Sequence, residues 1–430
     1  MPQLLADRDS YITGFADFVS ASPSSYHAAR AVADALEANG FASHDEAEPW
    51  APIAGGSRGL VVRDGAVIAW RAGEGVGATS PVRVLGAHTD SPGFVLKPRP
   101  DFTAEGWAQA GVEVYGGPLL NSWLDRDLGI AGRVVDRGGA ERLVRTGAVA
   151  RIPQLAIHLD REVNEGLKLD RQRHTQPVLG VGEGVSVLGL LAEAAGAAEG
   201  DIAGSDLRLF DTQPPARIGA AGELLASPRL DNLSSVFAGL AALLETEPAP
   251  GTIAVLAAFD HEELGSASRS GASGPFLEEV LARLREGLGA SADEAARAMS
   301  ASWCLSADAG HAVHPNYPER HDPRVRPRAG AGPILKVNAN QRYASDAHGE
   351  ALWARCCEAA GAATQEFVSN NAMPCGSTIG PLTATRIGIR TVDVGVPLLS
   401  MHSARELAHV DDLHGLARVV AAFFSESPVR

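Results

Sequence analysis

The sequence predicts an α/β protein: a mixed sheet assembled from residues 1–95 and 225–430, interrupted by a β-rich insertion at 96–224. Three observations predict it. Four apolar runs, at 82–90, 251–266, 302–311 and 391–403, start strand-like and end on or beside His, Asp or Glu. From about residue 225, such runs alternate with helical stretches such as DNLSSVFAGLAALLE, the pattern of βαβ units. Between 97 and 149 the character changes to short Val-rich runs separated by glycine, which reads as antiparallel β.

The elements follow in chain order. Apolar residues recur at helical spacing through Ile12, Phe15, Phe18, Ala29, Val32 and Leu36, and Gly40 makes a stop. SASPSSYHAA breaks that pattern into two helices. LVVRDGAVIAW carries an Asp64-Gly65 turn between two strand runs. AGRVVDRGGAERLVRTG reads as two strands around Arg137-Gly138-Gly139. A loop-rich stretch with a glycine run at 180–184 leads back to the alternating pattern, and 320–331 reads as a polar surface loop.

A length of 430 residues suggests about two or three domains. Hydrophobic content of 45% and charged content of 21% are ordinary for a globular protein. The formal charge of −15 argues against nucleic-acid partners, which need basic surface. No run of about 18 apolar residues is present, so no membrane-spanning helix is expected. MPQLLADRDS lacks the basic and apolar regions of a secretion signal, and a cytoplasmic location is the expectation. Cys304, Cys356, Cys357 and Cys375 form no C-x-x-C pair, so a metal here must use histidine and carboxylate.

Ligands in α/β folds gather beyond the carboxyl ends of parallel strands. His88, Glu262, Glu263, Asp308 and His402 stand at such ends, and Asp231 precedes a helical run. Each has a plainer role available: Asp231 suits a helix N-cap, and the Glu pair suits a solvated turn. Together they supply three ligands to each of two metals if one carboxylate bridges, with one carboxylate left as a base. His88 with Asp90 two residues on suits a ligand whose second ring nitrogen is held by a carboxylate. The nucleophile-elbow pattern is absent, and the 180–184 glycines lack a dinucleotide-binding context.

The ordered segments GAHTDSPG, GVEVYGG, WLDRDLGIAGRV, IPQLAIHLDR, PRLDNL, FDHEELGS, ADAGHAVHPNY, KVNANQRYASDA, PCGSTIGP and MHSARE run from about residue 86 to residue 406. In combination they resemble the aspartyl aminopeptidase family of dinuclear zinc peptidases. The resemblance implies a zinc-peptidase catalytic domain with an inserted dimerisation domain. It implies two zinc ions, replaceable by cobalt or manganese. Asp231 would bridge them, with His402 and Glu263 at one and His88 and Asp308 at the other. Glu262 would be the general base and Asp90 would orient His88. His158 would reach into a neighbouring subunit's site, while Lys336, His311 and Tyr343 would line the substrate pocket. Implied partners are peptides with a free N-terminus and further copies of the chain, in a homo-oligomer of dodecamer size. An aminopeptidase preferring neutral residues, and a non-catalytic shell protein, are the competing readings.

Overall fold

The structure is a computed structural model that describes residues 3–196 and 198–427. Among these residues the strands form three sheets. The largest has nine strands, in spatial order Ala42–Ser43, Arg58–Arg63, Ala66–Ala72, Ile253–Phe259, Val82–His88, Trp303–Ala307, Arg390–Gly395, Ile334–Lys336 and Gln365–Phe367. The four from Ile253–Phe259 to Arg390–Gly395 are mutually parallel neighbours, so their carboxyl ends share one edge.

Side chains alternate across a strand, and both faces of this sheet are covered. Leu85, Ala87, Leu256, Ala258, Leu305 and Val394 join one core with the helices Arg8–Ala21, Ser25–Glu37, Leu230–Glu245, Ala347–Ala360 and Val410–Ser425. Val82, Val84, Val255, Ala257 and Cys304 join a second core under the helices Phe276–Gly287 and Ile379–Ile387. The N-terminal helices are split by Ser24, whose side chain accepts from His27 N–H at the start of the second. The strands flanking Asp64 pair antiparallel, with Asp64 at φ 54°.

A six-stranded antiparallel sheet runs in the order Glu141–Arg145, Leu128–Asp136, Ile202–Asp211, Gly93–Ala104, Trp107–Tyr115, Val178–Val181. It carries its own core, in which Phe94, Ile130 and Leu209 meet Val187 and Leu191 of the helix Val187–Ala195. The third sheet combines Ala216–Ile218, Leu224–Ser227, Glu406–His409, Pro397–Leu399 and Gly310–His311. Its strands are two to four residues long and come from distant sequence, so it ties residues 216–227 to the C-terminal part of the chain. Among the described residues no helix is long and apolar enough to cross a membrane.

Candidate metal centre

Three of the parallel strands deliver their last residues to one edge. Val82–His88 ends on His88, which lies in register with Phe259. Beyond Phe259, the backbone turns through His261 at φ 63° into a short 3-10 turn that carries Glu262 and Glu263. Trp303–Ala307 leads into Asp308, where Gly395 of the adjacent strand passes so close that a Cβ would meet the Asp308 carbonyl oxygen at 1.8 Å. Asp231 and His402 arrive by bent backbone. The helix that starts at Leu230 is preceded by Arg229 at φ 56°, and Asp231 itself is non-helical (φ −82°, ψ 104°). It is therefore not the helix N-cap that its sequence context suggests. His402 follows the strand Pro397–Leu399 at φ 66°.

The resulting geometry divides Asp231 between two groups. His88 Nε2 lies 3.3 Å from Asp231 Oδ1 and 3.8 Å from Asp308 Oδ1. His402 Nε2 lies 3.5 Å from Asp231 Oδ2 and 3.5 Å from Glu263 Oε2. The other ring nitrogen of each histidine faces a backbone carbonyl: His88 Nδ1 is 3.0 Å from Asp90 O, and His402 Nδ1 is 3.0 Å from Gly117 O. A carbonyl only accepts, so each Nδ1 carries a proton, and Nε2 is the ring atom that faces the carboxylate oxygens. Asp231 Oδ1 is buried and accepts no hydrogen bond among the described residues. Carboxylate oxygens gathered in a buried pocket call for positive charge, which a protonated Nε2 or a metal ion held by these residues supplies. Nitrogen and oxygen donors of this kind suit zinc, and His88, Asp231 and Glu263 each offer an atom within 4.8 Å of the others.

Protonation shows the same demand for positive charge. Burial works against a charged His402, yet Asp231 and Glu263 outweigh it and raise its pKa to about 10. His88 is raised well above the usual imidazole value against the same penalty by Asp231, Asp308 and Asp90. Burial pushes Glu262 up to about 8, with His88 opposing and Asp308 and Asp231 adding. Asp231 is held below the usual carboxylate range, because His402 and His88 outweigh its burial.

A family profile described as Aminopeptidase I zinc metalloprotease (M18) matches residues 18–424. This chain belongs to the M18 family of zinc metallo-aminopeptidases. It is 54% identical over 414 residues to a probable M18 family aminopeptidase 2 of Streptomyces coelicolor, covering 94% of this chain and 95% of that one. A cryo-electron-microscopy structure of an Ape4–Nbr1 complex superposes with a TM-score of 0.94 at 35% identity, covering 98% of this chain and 86% of that one. A structure of the mApe1 dodecamer of Saccharomyces cerevisiae superposes with a TM-score of 0.84 at 29% identity, covering 97% and 96%.

Around the centre of this M18 chain, two further carboxylates hold backbone. Asp90 Oδ1 accepts from Glu262 N–H at 3.0 Å, and Oδ2 accepts from Glu263 N–H at 3.2 Å and from the Tyr115 hydroxyl at 2.8 Å. His88 Nδ1 is closer to the Asp90 carbonyl than to its carboxylate, 3.5 Å away. Glu406 accepts from the N–H groups of Asp231 and His402. Burial pushes Glu406 up to about 8, with the Asp231 charge adding. Sequence reasoning missed Tyr115 and Glu406, although both lie inside motifs it quoted. Gly116, at φ 66°, lets the chain pass Glu263, where a Cβ would sit 3.2 Å from the Glu263 Cβ.

Lys336 is buried beside this centre. Its ammonium donates to Ala309 O at 2.8 Å, lies 3.9 Å from Asp308 Oδ2 and sits 5.4 Å from the Tyr343 ring centroid. Tyr343 and His311 both pack against Phe367. The His311 pKa is lowered, first by desolvation in that recess and then by the Lys336 charge. His158 is exposed, with no hydrogen bond or ion pair among the described residues.

Proposed function

We propose that this chain is a dinuclear zinc aminopeptidase that removes acidic residues, Asp or Glu, from peptide N-termini, with Glu262 as general base. The observation that carries this reading is the division of Asp231, one oxygen toward His88 and Asp308, the other toward His402 and Glu263. When bound, the two ions supply Lewis-acid polarisation of the scissile carbonyl and an acidified water, and cobalt or manganese can substitute. The five ligands bind and orient them. Glu262 is the carboxylate left over: half-buried, on the same turn as Glu263, its side chain accepts no hydrogen bond among the described residues. Its backbone is fixed by Asp90. Glu262 takes a proton from water at its carboxylate and returns it to the departing amine.

Lys336 supplies the acidic preference. Among the described residues its ammonium makes one hydrogen bond, leaving N–H donors for a substrate carboxylate, with Tyr343 and His311 lining the same recess. We assign 96–224 to dimerisation, within a dodecamer like the one solved for mApe1. In that assembly the exposed His158 would enter a neighbouring site and donate to the developing oxyanion. The setting is cytoplasmic, the partners are peptides with free N-termini, and nucleic acid and membrane are not partners. One observation favours a neutral-residue preference instead: Lys336 lies close enough to Asp308 for its charge to be partly spent there.

Hydrolysis of N-terminal Asp, Glu, Leu and Ala chromogenic amides, with zinc, manganese, cobalt or chelator, decides between them. Chelator-sensitive cleavage of Asp and Glu amides, lost selectively in Lys336→Ala by roughly 10–100-fold, supports the reading, as expected for a charge-assisted hydrogen bond. Preference for Leu or Ala would move the specificity elsewhere and keep the metal chemistry. No cleavage with any metal from the assembled particle would favour a non-catalytic shell protein.

A further inference from the structure

Glu406 belongs to neither ligand set. It opens the strand Glu406–His409 and is 3% exposed, and its two oxygens are divided between the backbones of two ligands. Oε2 accepts from Asp231 N–H at 2.9 Å and Oε1 from His402 N–H at 2.8 Å. Both donors need an outside acceptor. The Asp231 amide lies in the first turn of a helix, where N–H groups have no intrahelical partner, and Arg229 at the cap offers no side-chain bond. The His402 amide sits on a left-handed backbone, outside any strand ladder. A carboxylate is the side chain that satisfies both, because it has two acceptor oxygens and no donor. An amide of the same shape would present one acceptor and one donor, leaving a buried N–H facing an NH2 group.

Asp231 reaches the centre through a side chain with only two rotatable bonds, so its oxygens go where its backbone goes. His402 is fixed at its ring by Gly117 and at its backbone by Glu406. Across the centre, Asp90 does the same for Glu262 and Glu263, each of its oxygens taking one of their amides. The half with His402 and Glu263 is thus held by two buried carboxylates, Glu406 through the amides of Asp231 and His402 and Asp90 through the amide of Glu263.

We propose that Glu406 is a positioning residue for the metal pair, locking Asp231 and His402 so that Asp231 Oδ2 and His402 Nε2 converge on one ion. The proposal rests on the two-metal reading above. It predicts a selective defect, because Glu406 holds the backbone of both Asp231 and His402 in one half but only the shared Asp231 in the half with His88 and Asp308. Ser91 also supports Asp231, through a hydroxyl donated to the Asp231 carbonyl oxygen at 2.8 Å.

The test is calorimetric titration of zinc into metal-free wild type and Glu406→Gln, with melting temperatures of both metal-free forms and visible spectra after cobalt loading. Wild type should take up two zinc ions per chain. The variant should keep one tight ion and bind the second roughly 10–100-fold more weakly, the usual cost of losing a group that orients a ligand. One cobalt band should weaken with it. Two zinc ions bound by the variant within twofold of wild type would overturn the proposal and leave the two-metal reading standing. A lowered metal-free melting temperature with unchanged zinc affinity would mark Glu406 as merely structural and also overturn it. A single zinc site in wild type would remove the two-metal reading and the proposal together. If Glu406→Gln does not fold, Glu406→Asp, whose shorter arm reaches only one amide, is titrated against the same expectation.

Discussion

The metal centre and the segment around His158 are built on opposite terms. At the centre, His88 and Asp231 are 1% and 3% exposed, and the backbones that carry the ligands are held by Asp90 and Glu406. Around His158, by contrast, Leu155, Ile157 and Leu159 are 57%, 45% and 74% exposed, three apolar residues at alternate positions that a lone chain leaves in water. Contiguous apolar exposure of this kind marks a contact surface rather than a finished one. The comparison teaches that the candidate ligands converge within the single chain, whereas full activity is expected to need a second copy.

The largest expected effect tests the first half of that contrast. Glu262→Gln should lower turnover by roughly 10²–10⁴-fold, the usual worth of a positioned base. Zinc content should not change, because Glu262 belongs to neither ligand group. Turnover near the wild-type value would remove Glu262 as the base. The next effect tests the second half. His158→Ala should leave zinc content and melting temperature unchanged yet cost about 10²–10³-fold in turnover, as removal of an oxyanion donor does. Mixing it with Glu262→Gln under confirmed subunit exchange should restore part of the activity, since a hybrid site can combine an intact Glu262 with an intact His158. Exchange without rescue would place His158 outside the reaction.

The same contrast explains what was legible in the sequence. The parallel strands could be read because they are buried on both faces, so they appear as continuous apolar runs whose polar ends stand out. His88, Asp308 and the Glu262-Glu263 pair came with them. Asp231 was harder. Its position before a helical run fits an N-cap, and only the left-handed turn at Arg229 shows that it does something else. Tyr115 and Glu406 were not read as functional because they act on a carboxylate and on backbone amides, partners that leave no spacing pattern. The five-stranded sheet was invisible for a different reason: strands of two to four residues carry too little periodicity to be told from loops. The helices Phe276–Gly287 and Ala292–Ser300 lie between the motifs FDHEELGS and ADAGHAVHPNY, where no quoted motif marks them.

The smallest expected effect probes where the two regions touch. Tyr115 ends the strand Trp107–Tyr115 of the six-stranded sheet, and its hydroxyl donates to Asp90 Oδ2 at 2.8 Å. Tyr115→Phe removes that bond and leaves Asp90 its two amide donors, so Glu262 and Glu263 stay in place. A hydrogen bond to a charged group is worth about 1.5–3 kcal/mol, and the retained donors place this case at the lower end. In a chain of this size that corresponds to a fall in the metal-free melting temperature of about 1–2 °C. Turnover should fall less than tenfold with KM unchanged, because no group of the ligand sets or base is lost. A much larger fall in turnover at unchanged zinc content would mean that the six-stranded sheet sets the position of the base through Tyr115. The centre would then depend on that sheet within one chain, before any second copy is added.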